Sequence, residues 1–143
     1  MFEFAPGYAD YLEDTETPED WRQGTYYRYW MHMAHQHANP AHFGIRTQAY
    51  KLIFFYGRYY KDTSIEANLK GWGNRYALET PPAWEFYDLK KDPSEMDNRY
   101  GDPAYADTIK QLKIELKKQR KALNEEDTAY PAIQKIVDEH WDD

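Results

Sequence analysis

Two runs of aromatic and β-branched residues, separated by only two positions, constrain the fold of this chain more than any other feature. Residues 43–47 and 50–56 form these runs, and Gln48 and Ala49 lie between them. A connection this short joins neighbouring antiparallel strands, so the pattern predicts a β-hairpin. Residues 25–31 and 84–89 show a similar enrichment with alternating polarity, and we expect them to form two further strands.

A helical periodicity follows the last of these strands. Asp102 is predicted to cap a helix whose first turn contains Pro103, because apolar residues then recur at spacings of three, four and seven. These apolar residues are Tyr105, Ile109, Leu112, Leu116 and Leu123. A shorter helix is predicted from Pro131, with Ile133, Ile136 and Val137 on its apolar side. We therefore expect an α+β fold, in which a long C-terminal helix and a short additional helix cover a four-stranded antiparallel sheet.

Length and aromatic content are consistent with one domain. The 143 residues include 14 tyrosines, 6 phenylalanines and 5 tryptophans, which supply a dense core for a domain of this size. We interpret residues 1–24 as an acidic N-terminal extension and residues 25–143 as the α+β domain. Residues 57–83 contain three glycines and two prolines and are predicted to form a long irregular loop.

Charge and cysteine content exclude several classes of partner and site. The formal net charge of −7 argues against binding to nucleic acid, which requires clustered Lys and Arg. No hydrophobic run approaches the length of about 20 residues that spans a bilayer. The residues after Met1 have neither the basic nor the apolar region of a signal peptide. Because the chain has no Cys, disulfides and thiolate zinc sites are excluded as well.

Two longer motifs, AHFGIRTQAYKLIFFYG at residues 41–57 and WEFYDLKKDPSEMDN at residues 84–98, resemble the C-terminal subdomain of sulfatases. The resemblance extends over roughly residues 25–125 and implies the same α+β fold. In that family, a formylglycine made from the Cys or Ser of a C/S-x-P-x-R motif attacks the sulfate ester. Asp and Asn side chains of the larger N-terminal domain bind calcium there.

The nucleophile motif of sulfatases does not occur in this chain. There is no Cys, and neither Ser64 nor Ser94 is followed by x-Pro-x-Arg. The resemblance therefore implies that the chain has no catalytic residue and no cofactor of its own. Calcium and formylglycine would belong to a catalytic domain absent from this chain, and we expect the chain to be inactive alone.

Four histidines lie within eleven positions, at His32, His35, His37 and His42. Sulfatases have a His-x4-His pair before a Gly-Val-Arg-Thr strand, which His37 and His42 match. The resemblance implies that His42 first, and His37 second, bind the substrate. An imidazole can donate to a sulfate or a sugar hydroxyl, and it can gain charge beside an anion. A loop or strand-end role is expected for His32 and His35, while a structural role is the alternative for His42.

Other polar residues of the motifs are interpreted as structural. Arg46 is expected to meet a carboxylate of the turn at residues 88–93, and Lys51 is expected to lie over aromatic surface. Asp88 and Asp92 are predicted to accept hydrogen bonds from backbone N–H groups of that turn, and Met96 to fill the core below it. Cations near the end of the long helix are expected to form a solvated face; they are Lys117, Lys118, Arg120 and Lys121.

Three functions of different classes are consistent with these observations. The first is the C-terminal subdomain of a sulfatase-like hydrolase of carbohydrate sulfate esters, which would form one wall of the substrate pocket. Its expected partners are a sulfatase catalytic domain, or a second copy bound through an exposed apolar face, and sulfated carbohydrate. The second is a free-standing binding module derived from a sulfatase. The third is a protein that binds zinc or nickel through its histidines. The compartment is undecided, since sulfatases are often periplasmic, secreted or lysosomal.

Overall fold

The computed structural model describes residues 22–34, 37–61 and 78–143. Four strands of six residues each form one antiparallel sheet in the order β1-β2-β3-β4. They are β1 (Gly24–Tyr29), β2 (His42–Thr47), β3 (Tyr50–Phe55) and β4 (Ala83–Asp88). Each predicted strand is confirmed to within two residues at either end. The predicted hairpin is also confirmed, with Arg46 paired to Lys51 beside its turn.

The helices follow the predicted α+β arrangement. The Asp102 side chain accepts a hydrogen bond from Ala104 N at 2.9 Å and caps a short 3-10 turn, Pro103–Tyr105. Helix α1 (Ala106–Ala122) continues from this turn, and helix α2 (Pro131–His140) follows. Leu123 was wrongly predicted to belong to the buried stripe. It is 58% exposed, because α1 ends at Ala122 and the chain leaves the helical repeat there.

Alternation along the strands puts the core on the side of the sheet that α1 covers. Phe43 and Ile45 of β2 point to this side, and their cross-strand partners Phe54 and Leu52 of β3 do the same. All four side chains are fully buried, as is Leu116 of α1. The opposite side therefore carries the intervening residues of each strand, which are Thr25, Tyr27, Tyr29, His42, Gly44, Arg46, Lys51, Ile53, Phe55, Ala83, Glu85 and Tyr87.

Side-chain amides satisfy backbone groups at both edges of the sheet. At the β1 edge, Gln119 of α1 accepts from Tyr26 N at 2.9 Å and donates to Gly24 O at 3.0 Å. At the β4 edge, Asn98 accepts from Phe86 N at 2.9 Å, and Arg99 N donates to Phe86 O at 2.8 Å. These bonds occupy groups that would otherwise be free to pair with a strand of another chain.

One member of the predicted solvated face, Arg120, is buried. Its Nη2 lies 2.5 Å from Asp127 Oδ2, and Arg28 Nη1 of β1 lies 2.6 Å from Asp127 Oδ1. The prediction was wrong because Arg120 follows Leu116 by four residues, which places it on the buried stripe of α1. The three lysines of the same run are exposed, as expected. The ion cluster links β1, α1 and the connection before α2.

The turn after β4 is held by two carboxylates, as predicted. Asp88 Oδ1 accepts from Lys90 N and Lys91 N, at 3.1 and 3.3 Å, and Asp92 Oδ2 accepts from Met96 N and Asp97 N, both at 2.8 Å. Met96 was wrongly placed in the core. Its side chain is 84% exposed, since the turn directs it outward.

Several predictions fall on residues outside the described ranges. They concern most of the acidic extension at residues 1–24, the position of His35, and residues 62–77 of the predicted loop. None of the helices within the described ranges has the length and apolar character that a membrane crossing requires.

Candidate functional site

His42 begins β2 on the side of the sheet that faces away from α1. Its direct neighbours across the two flanking strands are Tyr29 of β1 and Phe55 of β3. The imidazole stacks on the Tyr29 ring at 5.4 Å between centroids and lies 4.8 Å from the Phe55 ring. Tyr27 adds an edge contact at 6.0 Å. Three aromatic rings on two strands therefore fix the plane of the His42 ring.

One hydrogen bond fixes the tautomer of His42. Nδ1 lies 2.8 Å from the carbonyl oxygen of Pro40, which can only accept, so Nδ1 carries the proton in the neutral ring. Nε2 makes no hydrogen bond within the described part of the chain, and the residue is half-buried. Nε2 is thus the atom of this ring that remains for a ligand.

Burial lowers the pKa of His42. The Lys51 ammonium lowers it further, whereas the hydrogen bond to Pro40 O and the Glu85 carboxylate oppose the shift. The ring is therefore neutral at pH 7 without a ligand, and Nε2 then accepts a hydrogen bond from a hydroxyl group. A bound anion would favour the protonated form, which donates from Nε2 instead.

Neither His37 nor His32 contacts His42 in the described part of the chain. His37 is exposed on the connection between β1 and β2, and no hydrogen bond or ring contact joins it to His42 among the described residues. His32 is fully buried and structural, in line with the role expected for it. Its Nδ1 accepts from Ala41 N at 3.0 Å, and its Nε2 donates to Leu78 O at 2.5 Å.

The histidines therefore do not assemble into a metal centre where the structure describes them. Both ring nitrogens of His32 are occupied by backbone groups, so this ring has no lone pair to offer a cation. Across residues 22–34, 37–61 and 78–143, there is no group of three His, Asp or Glu side chains arranged to hold a metal ion.

Lys51, and not Arg46, meets the carboxylate of the turn after β4. Lys51 Nζ lies 2.7 Å from Glu95 Oε2 and 5.8 Å from the centre of the Tyr27 ring, so it is both paired and packed on aromatic surface. Arg46 is exposed and has no ion pair with any residue that the structure describes. The prediction for Arg46 was wrong because its cross-strand neighbour Lys51, on the same side, takes the acidic partner.

Gly44 and Tyr27 form a close packing pair that the sequence interpretation did not find. The two are cross-strand partners, and a Cβ on Gly44 would lie 2.7 Å from Tyr27 Oη and 2.5 Å from the carbonyl oxygen of Leu52. Only glycine leaves room for the Tyr27 ring across β2. The glycine of the motif Gly-Ile-Arg-Thr could have indicated this contact, because a glycine inside a strand often marks a place where another group approaches the backbone closely.

Comparisons with known proteins identify the family. Residues 8–67 and 74–122 match the family model described as N-sulphoglucosamine sulphohydrolase, C-terminal. An N-acetylglucosamine-6-O-sulfatase of Bacteroides thetaiotaomicron is 36% identical over 112 residues, which are 78% of this chain and 16% of that protein.

A solved structure described as a complex with its substrate D-glucosamine-2-N,6-O-disulfate is also similar. It is 34% identical with a TM-score of 0.56, and the match covers 79% of this chain and 18% of that one. The chain thus spans less than a fifth of either relative. The predicted resemblance is confirmed: this chain belongs to the N-sulphoglucosamine sulphohydrolase C-terminal family of sulfatase domains.

Proposed function

We propose that this domain forms one wall of the substrate pocket in a sulfatase that acts on sulfated glucosamine, with His42 as its main contact to the substrate. The observation that carries the proposal is the geometry of His42. Its plane is fixed by aromatic rings, its Nδ1 is bonded to Pro40 O, and its Nε2 remains for a ligand. A ring prepared in this way loses little conformational freedom when it binds.

The relatives support the choice of substrate. One is named for sulfate at the 6-oxygen of N-acetylglucosamine, and the other is described with a disulfated glucosamine as its substrate. A sulfated amino sugar offers hydroxyl donors and sulfate oxygens within one ring. Neutral His42 can accept a hydrogen bond from a hydroxyl group, and protonated His42 can donate one to a sulfate oxygen. His37, exposed on the preceding connection, is the second residue of the proposed contact.

The chemistry of hydrolysis is proposed to come from outside this chain. Neither serine lies in a C/S-x-P-x-R motif, and the sequence contains no cysteine. Formylglycine, when present, supplies the nucleophile, and calcium stabilises the charge on the sulfate group. The residues of this domain would then position the sugar and exclude water at one side of the pocket.

A chimaera tests the role of His42 directly. The matched 112-residue segment of the Bacteroides relative is replaced by this chain, and turnover of N-acetylglucosamine 6-sulfate is measured. We expect His42→Gln to lower kcat/KM about 5- to 150-fold, because the lost hydrogen bond contributes about 1–3 kcal/mol. Thermal stability should change little.

The matched control for this experiment is His140→Gln. His140 lies at the end of α2, where its Nδ1 is 2.5 Å from Asp143 Oδ2, and it is separated from His42 by the thickness of the sheet. The control should leave kcat/KM within about twofold, as surface changes usually do. If both changes have the same effect on kcat/KM, His42 has no special role in substrate use.

The partner surface is proposed to be the side of the sheet away from α1. Tyr27, Tyr29 and Phe55 are only half-buried there, and aromatic side chains are enriched in protein interfaces. A catalytic domain is the occupant that the family favours. Without it, the same surface should promote self-association of the isolated chain.

Light scattering tests this surface. We expect the isolated chain to form concentration-dependent oligomers, and Phe55→Lys to reduce them because a charge is then buried in the contact. Leu123→Lys is the matched control, since Leu123 is 58% exposed beyond α1 and outside the proposed surface. A chain that stays monomeric at high concentration, with or without Phe55→Lys, would count against an apolar docking surface.

A further inference from the structure

The side of α1 that faces away from the sheet carries three lysines and one isoleucine. They are Lys110, Ile114, Lys117 and Lys121, and we call them the lysine ridge. Their spacing of four, three and four residues puts them on one side of the helix. All four are exposed within the described part of the chain, and Ile114 is 55% exposed. The lysine ridge therefore combines positive charge with exposed apolar surface.

The charge of the lysine ridge is not balanced by the residues that the structure describes. Helix α1 contains five lysines but only two carboxylates, Asp107 and Glu115. Glu115 lies 3.8 Å from Lys118, beside the ridge, and no ridge lysine has an ion pair within the described ranges. A groove of about 610 Å³ follows one flank of the ridge, where Asp142 and Asp143 also lie. A surface with this surplus of cations favours an acidic partner.

The sequence itself contains an acidic segment of matching character. Residues 1–21 include seven Asp or Glu and no Lys or Arg. Apolar side chains lie among these carboxylates, as where Tyr11 and Leu12 stand between Asp10 and Glu13. The segment can therefore offer anions to the lysines and an apolar side chain to Ile114. Complementary charge of this kind favours one partner over others.

The described chain enters the sheet directly beside α1, within reach of the lysine ridge. Gln119 Nε2 of α1 donates to Gly24 O at 3.0 Å. Leu12 is twelve residues before Gly24, and twelve extended residues span up to about 40 Å. The 17 residues of α1 are about 26 Å long. The acidic segment is thus long enough to reach every residue of the ridge.

We propose that residues 1–21 bind across the lysine ridge of the same chain, with their carboxylates beside the lysines and their apolar side chains over Ile114. A second cationic position lies where Arg22, Arg46 and Lys90 line a groove beside the β2–β3 turn. No Ile, Leu or Val lines that groove, so it offers no counterpart to Ile114. The lysine ridge and His42 are on opposite sides of the sheet, and the inference therefore does not depend on the proposed function.

Carbodiimide cross-linking of the full chain tests this contact, because the reagent joins a carboxylate to a lysine amine only where the two touch. An equal mixture of unlabelled and isotope-labelled chain is used, so that peptide masses distinguish links within one chain from links between two. We expect links from residues 1–21 to the lysine ridge within one chain. They should weaken at about 1 M NaCl, where the Debye length falls to about 3 Å. Lys135 of α2, which lies 3.8 Å from Glu139, is the reference lysine and should give no such link.

The variant Ile114→Asp tests the apolar part of the contact and leaves every lysine able to react. We expect the yield of ridge links to fall about fivefold or more, because an apolar contact is lost and a like charge is added. Met96→Asp is the matched control, since Met96 is 84% exposed in the turn after β4. Its yield should stay within about twofold of the unmodified chain.

Four outcomes would each overturn the inference. Links mainly to Lys90 would place the segment at the groove with Arg22 and Arg46. Links mainly between two chains would make a second copy the partner of the ridge. Absence of links to the ridge, or equal losses with Ile114→Asp and Met96→Asp, would show that residues 1–21 make no specific contact with it.

Discussion

Histidine shows how local contacts separate residues that look alike in the sequence. His32 and His42 lie ten positions apart, and the pattern of four histidines does not indicate which ring has both nitrogens bonded within the domain. Hydrogen bonds make the distinction, because backbone groups occupy both nitrogens of His32 and only one nitrogen of His42. The partner of His32, Leu78, is 46 residues away, so no local pattern predicts it.

His32 and His42 should make the stability of the domain depend on pH. Burial lowers the pKa values of His32 and His42 in the folded chain, whereas an unfolded histidine has a pKa of about 6.5. The unfolded state therefore binds more protons as the pH falls. Stability contributed by the neutral rings is present above about pH 6.5 and is lost as the pH falls below it.

Urea unfolding between pH 8 and pH 5 measures this effect. We expect the double change His32→Gln and His42→Gln to flatten the fall in the free energy of unfolding over that range, although the absolute stability decreases. His37→Gln is the control and should keep the slope of the unmodified chain, since His37 is exposed and makes no hydrogen bond among the described residues. An unchanged slope in the double variant would mean that other groups cause the pH dependence.

At the scale of elements, the strands were predictable and the contacts that join them were not. Runs such as residues 50–56 are rich in the aromatic and branched apolar residues that favour strands. Asp102 with Pro103 identifies the start of the helical segment by capping chemistry alone. In the sequence, Arg120 is not distinguishable from the neighbouring surface cations. Only the tertiary structure shows that Asp127 lies beside it. A buried ion cluster of this kind depends on three separate segments, which periodicity cannot relate.

The edge amides give a test at this scale. Gln119→Ala would leave Tyr26 N and Gly24 O without their partner, and Asn98→Ala would do the same to Phe86 N. We expect each change to lower the free energy of unfolding by about 0.5–1.5 kcal/mol, the usual net contribution of an intramolecular hydrogen bond. Urea titration measures it, and light scattering should show increased aggregation because a strand edge is exposed.

Gln134→Ala is the matched control for the edge amides. Gln134 is also a helical amide, but its partner is Asp138 on the surface of α2. The change should stay within about 0.5 kcal/mol. If Gln119→Ala and Asn98→Ala are as mild as Gln134→Ala, the edges are protected by something other than these amides.

At the scale of the whole molecule, the family was predictable from two motifs because each contains residues with a specific structural role. Gly44 leaves room for Tyr27, Asp88 and Asp92 hold the turn after β4, and Asn98 closes the sheet edge. The surroundings of Arg46 were less predictable. Arg46 was assigned to an ion pair, and only the structure shows that it lies with Arg22 and Lys90 around one groove.

The last prediction is that residues 1–143 alone do not hydrolyse sulfate esters. The sequence has no C/S-x-P-x-R motif, so the nucleophile that forms the covalent intermediate is not supplied by this chain. An assay of aryl sulfate hydrolysis with purified, tag-free protein tests this prediction, and the His42→Ala variant is purified and assayed in the same way. Turnover that is equal in both samples identifies a contaminating enzyme. Turnover that disappears with His42→Ala would contradict the prediction and would make His42 a catalytic group of this domain itself.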